Sequence, residues 1–260
     1  MIKAWKRCGE TPLECLERVR VEYIANVSTE FKGMPMTYVG RLDPMAEGLL
    51  IVFHGDECGE PGLKESYLNL DKEYEVGILF GFSTDTYDLL GLPTVGQTLS
   101  QYAMSERIGV INYSQYVGIL EQVYPPYSSR PVNGVPLFAH ARKGTIHEIT
   151  IPTKHVEIYS IDADTTIYPP RQISGQSLLK YIEEKIACIR GDFRQESILT
   201  AWRQVLNKPD QAVCYYPIYT IHVRCSSGTY MRSLVNRIGI DSGISALAFS
   251  IRRTRIGDIS

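Results

Sequence analysis

The chain has 260 residues, 44% hydrophobic and 22% charged. That is ordinary globular usage on a chain long enough to bury a core, and it excludes a disordered tail protein or a fibrous repeat. Lys and Arg number 27 against 29 Asp and Glu, a net charge of -2, so no global basic excess advertises a nucleic acid and any polyanion has to be met locally.

In chain order, Thr11-Pro12-Leu13-Glu14 has the spacing of a capping box with Pro at the first helical position. It predicts a helix to about Tyr23 that buries Leu13, Leu16, Val19 and Tyr23. A loop over 33–37 precedes Gly40-Arg41-Leu42-Asp43-Pro44, and the apolar run 49–53 reads as a buried strand. Residues 72–79 alternate, with Tyr74, Val76 and Ile78 on one face and Glu73, Glu75 and Gly77 on the other. Proline-rich loops over 91–96 and 124–136 flank a predicted helix over 106–121. A basic helical segment over 136–143 leads into predicted strands at 146–151 and 156–161.

From 169 to 207 the apolar residues Leu178, Leu179, Ile182 and Ile186, then Ile198, Leu199, Trp202 and Val205, recur at helix spacing and predict an inserted helical pair. Strand alternation returns over 218–225, Ser227-Gly228 breaks it, and a helix is expected over 229–238, stopped by Gly239. Strands without regular strand-helix-strand spacing favour an α+β fold.

Cofactor and metal signatures are missing. No G-x-x-x-x-G-K-[ST] or G-x-G-x-x-G follows a strand, the six cysteines form no C-x-x-C, and the five histidines form no H-E-x-x-H. The N-terminus has no secretory pattern and no run approaches the roughly 20 apolar residues of a membrane span, so a reduced cytoplasm is the expectation.

The chemistry-bearing candidates each carry two readings. Asp43 before Pro44 suits a helix N-cap, and equally a loop carboxylate available as nucleophile or base. Glu47, four residues on, raises a glycosidase-like carboxylate pair or a solvated side chain. Tyr74 is either a core tyrosine or a ring that stacks on a flipped base while its phenol handles a proton. Arg232 falls in the first turn of its helix, where the macrodipole disfavours a cation, and a nearby carboxylate such as Asp43 would explain it. The loop Pro125-Pro126-Tyr127-Ser128-Ser129-Arg130 with Arg142-Lys143 mixes stacking, hydroxyl and basic groups in a way that suits non-duplex RNA. Arg252, Arg253 and Arg255 add a weak phosphate-binding signal.

Taken in order, these pieces resemble the TruB family of pseudouridine synthases, which isomerise a uridine in the T-loop of transfer RNA. Gly40-Arg41-Leu42-Asp43-Pro44-Met45-Ala46-Glu47-Gly48-Leu49-Leu50 resembles its catalytic motif G-x-L-D-P-x-A-x-G-L-L, and Lys72-Glu73-Tyr74 its K-x-Y motif. Thr84-Asp85-Thr86 with Asp88 and Gly91, the thumb-like loop over 124–144, Gly228-Thr229-Tyr230-Met231-Arg232 and Ile251-Arg252-Arg253-Thr254 are similar to its remaining motifs.

The resemblance implies a pseudouridine synthase fold, a mixed and mostly antiparallel sheet flanked by helices, as one catalytic domain over 1–260 with a helical insertion over 169–207. It implies Asp43 as nucleophile, Tyr74 stacking on the base and serving the proton step at carbon 5, and Arg232 pairing with Asp43. Tyr38, Arg41, Tyr127, Arg130, Arg142, Lys143, Ile251 and Arg252 would bind substrate, Tyr38 standing where the family usually has His. No metal or organic cofactor is implied, and the expected partner is transfer RNA, met by a monomer. The chain ends soon after Gly257, so no PUA domain is expected. An RNA-binding or RNA-folding role with little dependence on turnover is the alternative.

Overall fold

The computed structural model describes residues 1–26, 32–96, 101–163 and 171–260, so Pro169 and Pro170 lie outside the described residues. The strands are β1 (Ile2–Lys6), β2 (Met36–Val39), β3 (Ala46–His54), β4 (Lys72–Phe80), β5 (Phe82–Thr84), β6 (Pro93–Val95) and β7 (Gly118–Val123). They continue as β8 (Pro131–Val132), β9 (Val135–Pro136), β10 (Thr153–Ala163), β11 (Arg171–Ser174), β12 (Tyr215–Cys225) and β13 (Ala246–Ile256). The helices are α1 (Pro12–Asn26), α2 (Leu63–Asn69), α3 (Gln101–Gly109), α4 (Leu137–Lys143), α5 (Gly175–Ala187), α6 (Gln195–Leu206), α7 (Pro209–Val213) and α8 (Met231–Ser242).

One nine-stranded sheet organises the chain in the order β1-β3-β13-β4-β12-β10-β7, with β2 also on β3 and β11 also on β12. Its neighbours run antiparallel except β3 and β13, which pair in parallel through Ile251↔Ala46, Arg252↔Glu47 and Arg253↔Gly48. That pairing explains the glycine at position 48. Gly48 has φ 121°, and a Cβ there would lie 2.3 Å from the Arg253 carbonyl oxygen.

Alternation on β4 follows the sequence pattern. Tyr74, Val76, Ile78 and Phe80 join Ile221 and Val223 in a core closed by α8 (Leu234, Val235, Ile238) and α3 (Met104, Ile108). On the opposite face Leu79, Phe82, Leu247 and Phe249 meet α5 and α6 through Leu178, Ile182, Ile198 and Trp202. The predicted helical pair therefore forms and covers a sheet face.

The structure corrects several boundaries. The 106–121 segment divides into the end of α3, a short 3-10 turn at Tyr113–Tyr116 and edge strand β7. Gly109 closes the helix and Gly118, at φ 106°, opens the strand. Residues 146–151 hold one 3-10 turn and no strand, and β10 starts immediately after Pro152. On α1 the capping box forms, Glu14 N–H bonding Thr11 Oγ1 and Thr11 N–H bonding Glu14 Oε2. Leu13, however, points to solvent and Cys15 is buried in its place. The last helix begins at Met231 and ends after Ser242, with Gly243 in the left-handed conformation.

Candidate active site

The loop between β2 and β3 carries Asp43. Pro44 opens a turn rather than a helix: the Ala46 N–H bonds the Asp43 carbonyl at 3.0 Å and β3 follows at once, so the N-cap reading does not hold. Lys6, at the end of β1, ties the turn down. Fully buried, its ammonium donates to the carbonyls of Arg7 at 3.1 Å, Pro44 at 3.4 Å and Ala46 at 2.5 Å. Burial lowers its pKa to about 8, with the Cys8 and Asp43 charges opposing.

Arg232 comes to Asp43 from the second residue of α8. Its Nε donates to Asp43 Oδ2 at 2.8 Å, Nη1 to the Thr86 carbonyl at 2.8 Å and Nη2 to the Tyr127 carbonyl at 3.2 Å. Asp88 Oδ2 stands 3.7 Å from the same Nε. The cation that the helix N-terminus disfavours is thus held by two carboxylates and two carbonyls. No side-chain cap precedes α8; the Tyr230 N–H is taken by the Gln122 side chain instead.

Asp88 is buried, accepting from Thr86 Oγ1 at 2.7 Å and the Leu90 N–H at 2.9 Å. Burial pushes its carboxyl up, against the pull of the Arg232 guanidinium. Between them Tyr87 takes φ 65°, a costly conformation for a bulky residue, which the pinned neighbours enforce.

Asp43 opens into a cavity of about 720 Å³ whose wall includes Tyr38, Arg41, Tyr74, Tyr127, Arg142, Lys154, Arg194, Ile251 and Arg253. That volume is in the range of small-ligand sites. Tyr74 and Ile251, facing it from β4 and β13, are 9% and 7% exposed. Burial raises the Tyr74 phenol, and the Arg253 guanidinium opposes this. Arg253 is itself buried, with Nε on the Leu49 carbonyl at 2.8 Å and Nη1 on the Arg41 carbonyl at 3.3 Å.

Of the expected residues, the structure brings Asp43, Tyr74, Arg232, Tyr38, Arg41, Tyr127, Arg142 and Ile251 to one cavity. Arg142 meets it already paired, with Nη2 2.9 Å from Asp192 Oδ1. Arg130 and Lys143 lie exposed outside that wall, Arg130 over the Tyr124 ring at 5.4 Å. Arg252 also lies outside the wall: strand alternation turns it away from the face of Ile251, and its Nε lies 2.9 Å from Glu47 Oε1. The same contact removes Glu47 from the cavity, so the two-carboxylate glycosidase reading fails.

Sequence reading noted Arg253 and Asp88 only as members of motifs, without a role in the site, and assigned no site role to Lys6, Lys154 or Arg194. For Arg253 a signal existed, since with Ile251 inward a period of two puts Arg253 inward and Arg252 out. Among the described residues no cluster of His, Cys, Asp or Glu could hold a metal ion, and no helix is long and apolar enough to cross a membrane.

The sheet is that of the pseudouridine synthase fold. The chain aligns over 99% of its length with 49% of a chain in the crystal structure of a Cbf5-Nop10-Gar1 complex, at TM-score 0.51 and 16% identity, thus spanning about half that chain. The family model described as TruB family pseudouridylate synthase (N terminal domain) matches residues 29–191, and this chain belongs to that family. It is 30% identical over 224 residues to the tRNA pseudouridine synthase B of Bordetella pertussis (strain Tohama I), covering 86% of this chain and 70% of that one. With the protein of the same name from Blochmanniella pennsylvanica (strain BPEN) it shares 28% over 236 residues, 90% of this chain and 69% of that one. Its reaction class is accordingly isomerisation.

Proposed function

We propose that the protein converts a uridine in the T-loop of transfer RNA to pseudouridine, acting as a cytoplasmic monomer. The observation that carries this reading is the Asp43–Arg232 pair at the cavity floor: Asp43 is 38% exposed toward the cleft, while its partner Arg232 is 3% exposed and fixed on every nitrogen. The net reaction moves one bond. The N1–C1′ bond breaks, uracil turns, the C5–C1′ bond forms, C5 loses its proton and N1 gains one.

Asp43 acts as the nucleophile that permits cleavage, and Arg232 pairs with its carboxylate and aims it. A uracil detached from the ribose is retained against the Tyr74 ring and Ile251, which both line the cavity. The raised Tyr74 phenol relays a proton: its oxygen accepts the C5 proton as its own hydroxyl proton is released to solvent water, which in turn supplies the proton that N1 gains. The adjacent Arg253 charge favours that transient loss.

The test is tritium release from a transfer RNA transcript carrying 5-tritiated uridine. Asp43→Asn, which keeps a hydrogen-bonding side chain in the loop, is expected to lower the rate by at least about 10³-fold while RNA binding persists. Equal release by wild type and variant would overturn the catalytic assignment and leave an RNA-binding role.

A further inference from the structure

The turn between α5 and α6 reaches the cleft, where Asp192, Phe193 and Arg194 form part of its wall. Arg194 precedes α6 with φ 63°, a conformation that a residue with a side chain adopts at a cost. Its side chain shows what the backbone geometry achieves. Nη1 and Nη2 reach the Asp85 carboxylate at 2.8 and 3.4 Å, and the guanidinium lies 4.2 Å from the centre of the Tyr127 ring.

Asp85 and Tyr127 belong to two loops far apart in sequence, and each loop supplies a carbonyl to Arg232. Thr86, next to Asp85, accepts from Nη1, and Tyr127 itself accepts from Nη2. Asp85 is further pinned by the Leu92 N–H at 2.8 Å. A single planar cation therefore joins the two loops just behind the carbonyls that orient the active-site arginine, and it comes from the helical pair on the other face of the sheet.

We infer that Arg194 is a positioning residue for the isomerisation: by bracing Asp85 and Tyr127 it sets the two carbonyls that aim Arg232 at Asp43. The inference rests on the proposed function for its catalytic consequence, while the brace itself is geometric. The chemistry needs Arg, because one flat group must engage two carboxylate oxygens on its edge and a ring on its face. The Arg194 and Asp85 side chains are 21% and 33% exposed, and measuring the thermal midpoint beside the rate separates positioning from folding.

Single-turnover pseudouridine formation at saturating transcript is measured for wild type, Arg194→Ala and Arg194→Lys. Arg194→Ala is expected to lose about tenfold to a hundredfold in rate, the scale of a misplacement near 1 Å. RNA affinity should hold within about threefold and the thermal midpoint within about 3 °C. Arg194→Lys, with its charge but no planar fork, should recover only a minor part of the rate. In an Asp85→Asn, Tyr127→Leu background the further loss from Arg194→Ala should shrink below about threefold. A wild-type rate in Arg194→Ala, a loss confined to RNA affinity, or a loss tracking a large fall in midpoint would each overturn the inference.

A readout without RNA keeps the two ideas apart. The Arg232 Nε–Hε resonance, identified by its shift in Asp43→Asn, should exchange with solvent at least about tenfold faster in Arg194→Ala. An unmoved resonance overturns the brace even if the enzyme is active. An inactive wild type overturns the proposed function and leaves the resonance to decide the brace.

Discussion

Arg252 and Arg253 are neighbours in one motif and face opposite sides of β13. Arg253 is buried in the cavity wall, while Arg252 joins Glu47 and Glu75 on the other side of the sheet. At this scale the identity of a residue says less than its register. Lys6 makes the same point, a lysine wholly enclosed because three carbonyls converge on it. Its folded pKa of about 8 lies below the 10.5 of an unperturbed lysine, so between those values the unfolded chain binds more protons and stability rises with pH. The stability of wild type minus that of Lys6→Met, from urea unfolding, should therefore increase by about 2–3 kcal/mol from pH 8 to pH 10.5. A flat or falling difference would contradict the burial of a charged ammonium there.

Among the elements, α5 and α6 were legible because their apolar residues recur at 3.6 and the stripe has a sheet face to cover. The segment 106–121 was not, since its scattered apolar residues suit either period. What separates them is pairing with β10, in the register Glu157↔Ile119 and Val156↔Leu120, which converts a plausible helix into an edge strand with Ile119 outward. Trp202 shows how firmly the helical pair is seated. It is fully buried, edge-on to Phe82 with centroids 5.3 Å apart, and its indole N–H bonds the Leu89 carbonyl at 3.3 Å, one residue from Asp88. Trp202→Ala should lower unfolding free energy by about 3–5 kcal/mol. Chemical denaturation checks this, and a cost below about 1 kcal/mol would mean that α6 is not packed as described.

Over the whole molecule, charge is segregated along the chain and reunited in space. Residues 218–260 hold six basic and two acidic side chains, and residues 56–75 hold seven acidic and two basic. The sheet lays β4 between β12 and β13, so that Arg224 meets Asp71, Arg252 meets Glu75 and Arg255 meets Glu73. The basic C-terminal stretch is thus largely spent on neighbouring strands. Of the cavity-wall cations that are not buried, Arg41 and Lys154 have no carboxylate partner among the described residues, and exposed Arg130 and Lys143 stand outside that wall. With so few free cations the logarithm of RNA affinity should fall with the logarithm of salt concentration at a slope of about -3, measured by titration at several salt concentrations. A slope steeper than about -6 would show that a larger basic surface meets RNA.

By itself the sequence determined what local patterns encode: the capped first helix, the alternation that turns Tyr74 inward, the helical pair, and the ordered motifs holding Asp43, Tyr74 and Arg232. These depend on residue type and on periods of 2 and 3.6, which are properties of a short stretch of chain. Only the tertiary structure decided that Asp43 stands on a turn before a strand, that Glu47 and Arg252 consume each other, and that Arg253, Lys6 and Arg194 come to the site. Each of those outcomes depends on which strand lies beside which and in what register, and a one-residue change of register would exchange the buried and exposed members of every pair.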